Sequence, residues 1–168
     1  MKFPRTIHLD ASDSHVFEHS AEAEEWAVAG TFEFVGDDPA EWSRKRQLAF
    51  KSGWLGLGSF GRTTLVQVAV MPDAQFDGIV RDLAAHLFRN YGAPDMLAAM
   101  AAARHECEET ADVADHPAGT LLSIERGFQD DGIAERVRVI PPAGDGQHAR
   151  IWGVDQSGGG SAEGQGQG

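Results

Sequence analysis

The sequence predicts an α+β fold: a mostly antiparallel sheet with about three helices packed on one face. Three observations carry this. The elements read β-β-β-α-β-α-α-β-β, not the strict strand–helix alternation of a parallel doubly wound sheet. Residues 63–71, Thr-Thr-Leu-Val-Gln-Val-Ala-Val-Met, form the strongest strand. They are apolar on both faces near their end, as a central strand requires. Residues 120–128 and 133–140 flank Gln129-Asp-Asp-Gly132, whose turn chemistry closes a hairpin.

In chain order, residues 5–9 alternate and are β-branched at the centre, which predicts a first strand. Asp10-Ala-Ser-Asp-Ser14 is a turn, because short polar side chains bond their own backbone. Val16 and Phe17 begin a second strand. Residues 26–35 read as a third, with Trp26, Val28, Phe32 and Phe34 alternating around a bend at Ala29-Gly30. Gly36-Asp-Asp-Pro39 starts a helix over residues 40–51, which Gly53 ends. Phe76, Ile79, Val80, Leu83, Leu87 and Phe88 recur at helical spacing through residues 74–91, with Asp73 as the cap. A third helix runs from Asp95 to about Ala114, turning Met96, Leu97, Met100 and Ala103 inward. In the hairpin's second arm, Ile133, Val137 and Val139 stand against Glu135, Arg136 and Arg138. Residues 1–140 thus form one domain. Residues 141–168, rich in Gly, Gln and Ser, read as a disordered tail with an apolar island at Ile151-Trp152.

Charge and cysteine content narrow the function. A net charge of −12 opposes binding to nucleic acid or to anionic membrane surfaces. Cys107 is the only cysteine, so the chain forms no internal disulfide and no cysteine-rich zinc site. The longest apolar run, near Val68–Met71, is far short of a membrane span, and the first residues lack a signal-peptide core. These features place the protein in a reducing cytoplasm.

One stretch stands apart. Residues 42–72 contain Arg44, Lys45, Arg46, Lys51 and Arg62 but no Asp or Glu. At the chain's overall acid content, such a window would hold roughly five. Within it lies Gly56-Leu-Gly58-Ser-Phe-Gly61, a formal G-x-G-x-x-G. A dinucleotide loop follows a strand and opens a helix; here a helix leads in and a strand leads out, so that reading fails. A kinase-like glycine loop fails too, because no lysine follows Lys51 and no His-Arg-Asp or Asp-Phe-Gly occurs. What survives is an anion site: the amides of Gly56, Gly58 and Gly61 with Arg62, helped by Arg44 and Lys51. Against it stands internal neutralisation, since residues 18–25 and 106–115 carry many acids that need partners.

The helix stripe His105, Glu109, Asp112 and His116 places imidazoles and carboxylates at steps of four, three and four. It suits a transition metal but lacks the His-Glu-x-x-His pattern, so a solvated acidic face is the simpler reading. Cys107 beside acids is blunted as a nucleophile. His8, His15 and His19 show no site-forming spacing, and no serine has a nucleophile context.

Arg5-Thr-Ile-His-Leu-Asp10, Val16-Phe17, Glu25-Trp-Ala-Val28, residues 50–57, Ser59-Phe-Gly61 and residues 115–122 together resemble a family of short bacterial proteins known only as a domain of unknown function. The resemblance spans about residues 2–140. It implies a bacterial origin and a single domain, and carries over no catalytic residue.

With no catalytic constellation and no cofactor motif, the expected function is non-catalytic. The protein would be an accessory, assembly or regulatory protein with a protein partner, anchored through Trp42, Trp54 and Phe60; self-association stays open. The alternative is a small anionic ligand at the glycine-rich joint, and a metal site at His105 comes third.

Overall fold

The computed structural model describes residues 1–7 and 16–142. The predicted turn at residues 10–14, His8, His15 and the tail from residue 143 onward, including Ile151-Trp152, lie outside the described residues.

The α+β class holds and the order of elements matches roughly, running β-β-α-β-β-β-α-α-β-β, but among the described residues two antiparallel sheets replace one. The larger has the order β1-β5-β6-β7, built from β1 (Lys2–Thr6), β5 (Leu65–Val70), β6 (Leu121–Gln129) and β7 (Gly132–Ile140). As expected, β5 is central: it pairs with β1 on one side and β6 on the other. The smaller sheet joins β2 (Ala27–Val28), β3 (Trp54–Gly56) and β4 (Arg62–Thr63). What reads as one strand over residues 63–71 therefore breaks at Thr64, where the chain passes from one sheet to the other. The β6–β7 hairpin closes as predicted, with Gln129 opposite Gly132.

Among the described residues, three helices complete the fold: α1 (Arg44–Ser52), α2 (Asp73–Asn90) and α3 (Met96–Val113). Pro39–Glu41 forms a separate 3-10 turn, so α1 starts later than the sequence suggests. Its cap is Ser43, whose hydroxyl accepts from the Arg46 amide at 3.0 Å. Asp95 caps α3 as expected, accepting from the Ala98 amide. Asp73 does not cap α2; it sits in the first turn, paired with the chain's amino terminus.

The predicted third strand shortens to β2. Gly30 adopts φ +72, and a 3-10 turn at Thr31–Phe34 follows. A Cβ on Gly30 would lie 2.6 Å from that of Leu55, so both conformation and space demand glycine here. Val16 and Phe17 form no strand. Phe17 instead packs with Phe34, Ala49 and Phe50 in a small core of its own.

The main core lies between the sheets and the α2–α3 pair. Phe3, Leu55 and Met71 meet Val80, Leu83, Ala103 and Cys107 there. A second cluster backs the large sheet with Val66, Val68, Leu122, Ile124, Val137 and Trp54.

Candidate functional site

The glycine-rich joint is a tight β-hairpin turn between β3 and β4. The Gly56 amide donates to the Gly61 carbonyl and the Phe60 amide to that of Gly56. Phe60 takes φ +58 to close it. The amides of this turn do gather an anion, and the anion belongs to the chain itself. One carboxylate oxygen of Glu25 accepts from the Gly58 and Ser59 amides, each at 2.8 Å; its other oxygen accepts from the Glu22 amide. Burial alone would raise the Glu25 pKa, but these hydrogen bonds and that of the Ser59 hydroxyl hold it below the usual carboxylate value.

Arg62 also faces inward. It is buried and donates to the carbonyls of Ala29, Gly53 and Gly30, and at 2.7 Å to Glu33. Beside it lies Arg126 of β6, equally buried. Its guanidinium donates to the carbonyls of Ala49, Phe50, Gly53 and Ala29, so it closes the end of α1. Burial, then the charge of Arg62, lowers the Arg126 pKa to about 9. The Phe34 ring receives the guanidiniums of Arg46, Arg62 and Arg126 at 4.5, 4.7 and 5.5 Å.

Glu33 is the carboxylate of this cluster. It bonds Arg62 with one oxygen and His86 Nε2, at 3.0 Å, with the other. Burial opposes its charge, but His86 and Arg62 prevail and bring its pKa down to about 2. The His86–Glu33 pair has the form of a general-base dyad, and sequence spacing gave no hint of it. Yet Nδ1 of His86 meets Asn90 at 3.2 Å, and Phe60 stacks flat on the ring at 3.9 Å. With both nitrogens and a face engaged, His86 acts as a brace. Burial and the Glu33 charge push the neighbouring Tyr91 phenol up to about 12.

Lys51 faces the other way. At the end of α1, beside β6, it borders a cleft of about 500 Å³ with Ser52, Thr64, Ser123, Arg136 and Arg138. The cleft exists because β5 pairs with β6 only up to Ser123, then leaves for the smaller sheet. Alternation along β7 puts Arg136 and Arg138 on this side and Glu135 and Val137 on the other. Glu125 is the cleft's one carboxylate, and Arg136 meets it at 3.1 Å.

Matching against known families gives residues 1–155 to one family, a span that includes every described residue. The chain belongs to DUF6505, a family of unknown function. No curated protein and no solved structure matches it.

Of the predicted anion ligands, this DUF6505 chain brings Lys51 to the large cleft, while Arg62 borders only a recess of about 90 Å³ beside Glu33. Gly56, Gly58, Gly61 and Arg62 are committed internally, and Arg44 is exposed at the start of α1. Among the proposed interface aromatics, Trp54 is 1 % exposed and belongs to the core. Trp42 is half-buried; it packs on Phe34, Phe50 and Phe128 and donates to Asp37. Phe60 is taken by His86. On α3, His105 pairs with Glu109 at 3.1 Å, while His116 lies beyond the helix end, its carbonyl accepting from Lys2. Among the described residues, no three His, Cys, Asp or Glu side chains gather to hold a metal ion. That leaves His105, Glu109 and Asp112 on the helix and His116 in the turn that follows it. Cys107 is buried, and burial followed by Glu106 pushes its thiol up to about 12. No helix among the described residues is long and apolar enough to cross a membrane.

Proposed function

We propose that this protein is a binding protein without catalysis of its own, and that it holds a small organic anion in the cleft beside α1. One observation carries the reading: in a chain of net charge −12, Lys51, Arg136 and Arg138 line a single concavity, with the hydroxyls of Thr64 and Ser123 between them. Cations set in a cleft concentrate field there and suit carboxylate or phosphate groups. The volume lies within the range of metabolite sites. The lining offers charge and hydrogen bonds but no imidazole or thiol, which supports binding over reaction.

Thermal unfolding with citrate, inorganic phosphate and ATP tests this. At least one should raise Tm in proportion to its occupancy, and Lys51→Ala with Arg138→Ala should remove the increment. Both residues are exposed, so the variants should fold. An equal increment in wild type and variant, or none with any anion, overturns the reading.

A protein partner is the second reading. Phe88, Tyr91, Met96 and Leu97 stay exposed around the turn between α2 and α3, and Leu97 is 81 % exposed. Co-purification from the source cells tests it. A partner retained by wild type and lost by Leu97→Asp supports docking there; identical retention removes it.

A further inference from the structure

The basic cleft does not end at Arg136. A second hollow of about 500 Å³ continues it along the hairpin, and Lys51, Glu125 and Arg136 border both. The two halves differ in charge. Arg136 meets Glu125 at 3.1 Å, whereas Lys51 and Arg138 have no carboxylate partner among the described residues. The first half therefore carries uncompensated positive charge, with Lys51 at the junction. In the second half Arg126 and Glu135 also lie at the border, but they face each other at 3.8 Å and offset one another. One end of the trough suits an anion, and the other a neutral polar group.

The second half also has a distinctive floor. Gly127 of β6 lies opposite Ala134 of β7, so two very small residues sit side by side. A Cβ on Gly127 would meet no atom within 4 Å, so the space above it is open. Gln129, exposed, is the next residue of β6 on this face, and its amide can both donate and accept. An aliphatic chain would find only the Ala134 methyl there. A flat ring with donors and acceptors on its edge fits better. From the Ser123–Arg138 pair to the Gly127–Ala134 pair is four residues along β6, about 13 Å at 3.3 Å per residue. The ligand is thus elongated, with its charge at one end and its ring at the other.

We infer that the ligand of the cleft is a nucleoside triphosphate, its phosphates between Lys51 and Arg138 and its base on the Gly127–Ala134 floor. This rests on the reading of the cleft as an anion site and names the class of anion. The hydroxyls of Thr64 and Ser123 donate to phosphate oxygens, and the Gln129 amide reads the edge of the base. Glu125, the one carboxylate of the first half, stands between the two ends and accepts from a ribose hydroxyl.

The test compares ATP, tripolyphosphate and adenosine in magnesium-free buffer. The second probe lacks the ring, and the third lacks the charge. ATP should raise Tm, and calorimetry should give tripolyphosphate a Kd at least tenfold higher. Adenosine should fail to bind at about 1 mM. Gly127→Val fills the floor. Gly127 does not use the left-handed region, its added Cβ meets nothing, and valine suits a strand, so this variant should fold. It should weaken ATP to the affinity of tripolyphosphate and leave tripolyphosphate unchanged. Equal affinities of ATP and tripolyphosphate for wild type overturn the inference while the anion site stands. So does ATP binding that Gly127→Val leaves unaltered. Binding of citrate or phosphate without any of ATP likewise overturns the inference alone, whereas no binding of any anion overturns both readings.

Discussion

Arg62 and Arg126 both donate to the carbonyl oxygen of Gly53, at 3.0 and 3.1 Å. Two like charges share one acceptor in the interior. The arrangement holds because the carbonyls at the end of α1 and the Ala29-Gly30 corner present converging lone pairs, and Glu33 supplies a full negative charge. The pair ties together β4, β6, α1 and the corner after β2, four pieces distant in sequence.

Replacing Arg126 by Met should therefore cost more than its lost packing. The Phe50 carbonyl would lose this donor, and those of Ala49, Gly53 and Ala29 one of two. A buried acceptor left without a partner costs about 1–3 kcal/mol. The urea midpoint should fall accordingly with an unchanged m-value. A midpoint within error of wild type would mean that water replaces the guanidinium freely.

Glu33 sets the acid limb of stability. Its pKa is brought from 4.5 to about 2. A depressed carboxylate contributes stability that is present above its unfolded pKa and lost as pH falls through the folded one. Wild type should thus weaken between about pH 4.5 and pH 2. Glu33→Gln should be less stable than wild type at neutral pH, and the gap should close across that interval. Urea titrations over the range check this; a constant gap would assign the acid limb to other groups.

From sequence, the acid-free stretch from Trp42 to Pro72 reads either as internally neutralised or as an anion site, and its spacing does not say which acids would reach it. Glu25 and Glu33 reach it only because β2 pairs with β3 and Gly30 turns the chain back. That is tertiary information, absent from local spacing. Arg126 was more accessible. It falls on the same alternation as Leu122 and Ile124, the buried face of β6, and a cation at an inward position signals a network. Thr64 hid the break between β4 and β5, because Thr63, Thr64 and Val66 are all β-branched and no glycine or proline marks the crossing. Lys51 and Arg138 could not be joined from sequence, since what brings them together is the early departure of β5 from β6.

Gly61 is tight for a steric reason. A Cβ there would stand 2.4 Å from both the carbonyl carbon and the oxygen of Ser20. Those atoms are held, because the Arg62 amide donates to the His19 carbonyl and the Ala21 amide to that of Arg62. Gly61→Ala should cost at least about 1–3 kcal/mol, the usual range for overpacking. At Gly58 the nearest atom to an added Cβ is a side-chain oxygen of Glu25, at 3.3 Å. Gly58→Ala should therefore shift the midpoint far less. Equal losses from the two would show that turn flexibility, rather than contact with Ser20, is what matters.

Glu106 should act on stability with the sign opposite to Glu33. Burial first, then the charges of Glu135 and Glu109, raise its pKa; the Gly30 amide and the more distant charge of Arg126 oppose this. A raised folded pKa means the contribution is fully present below the unfolded value and is lost as pH rises through the folded one. Glutamine keeps an oxygen for the Gly30 amide and removes the charge. Glu106→Gln should thus match wild type in mild acid and exceed it at neutral pH. Thermal melts at the two pH values decide it. A variant less stable than wild type at neutral pH would show that the ionised Glu106 is held favourably, with Arg126 outweighing burial and the neighbouring acids.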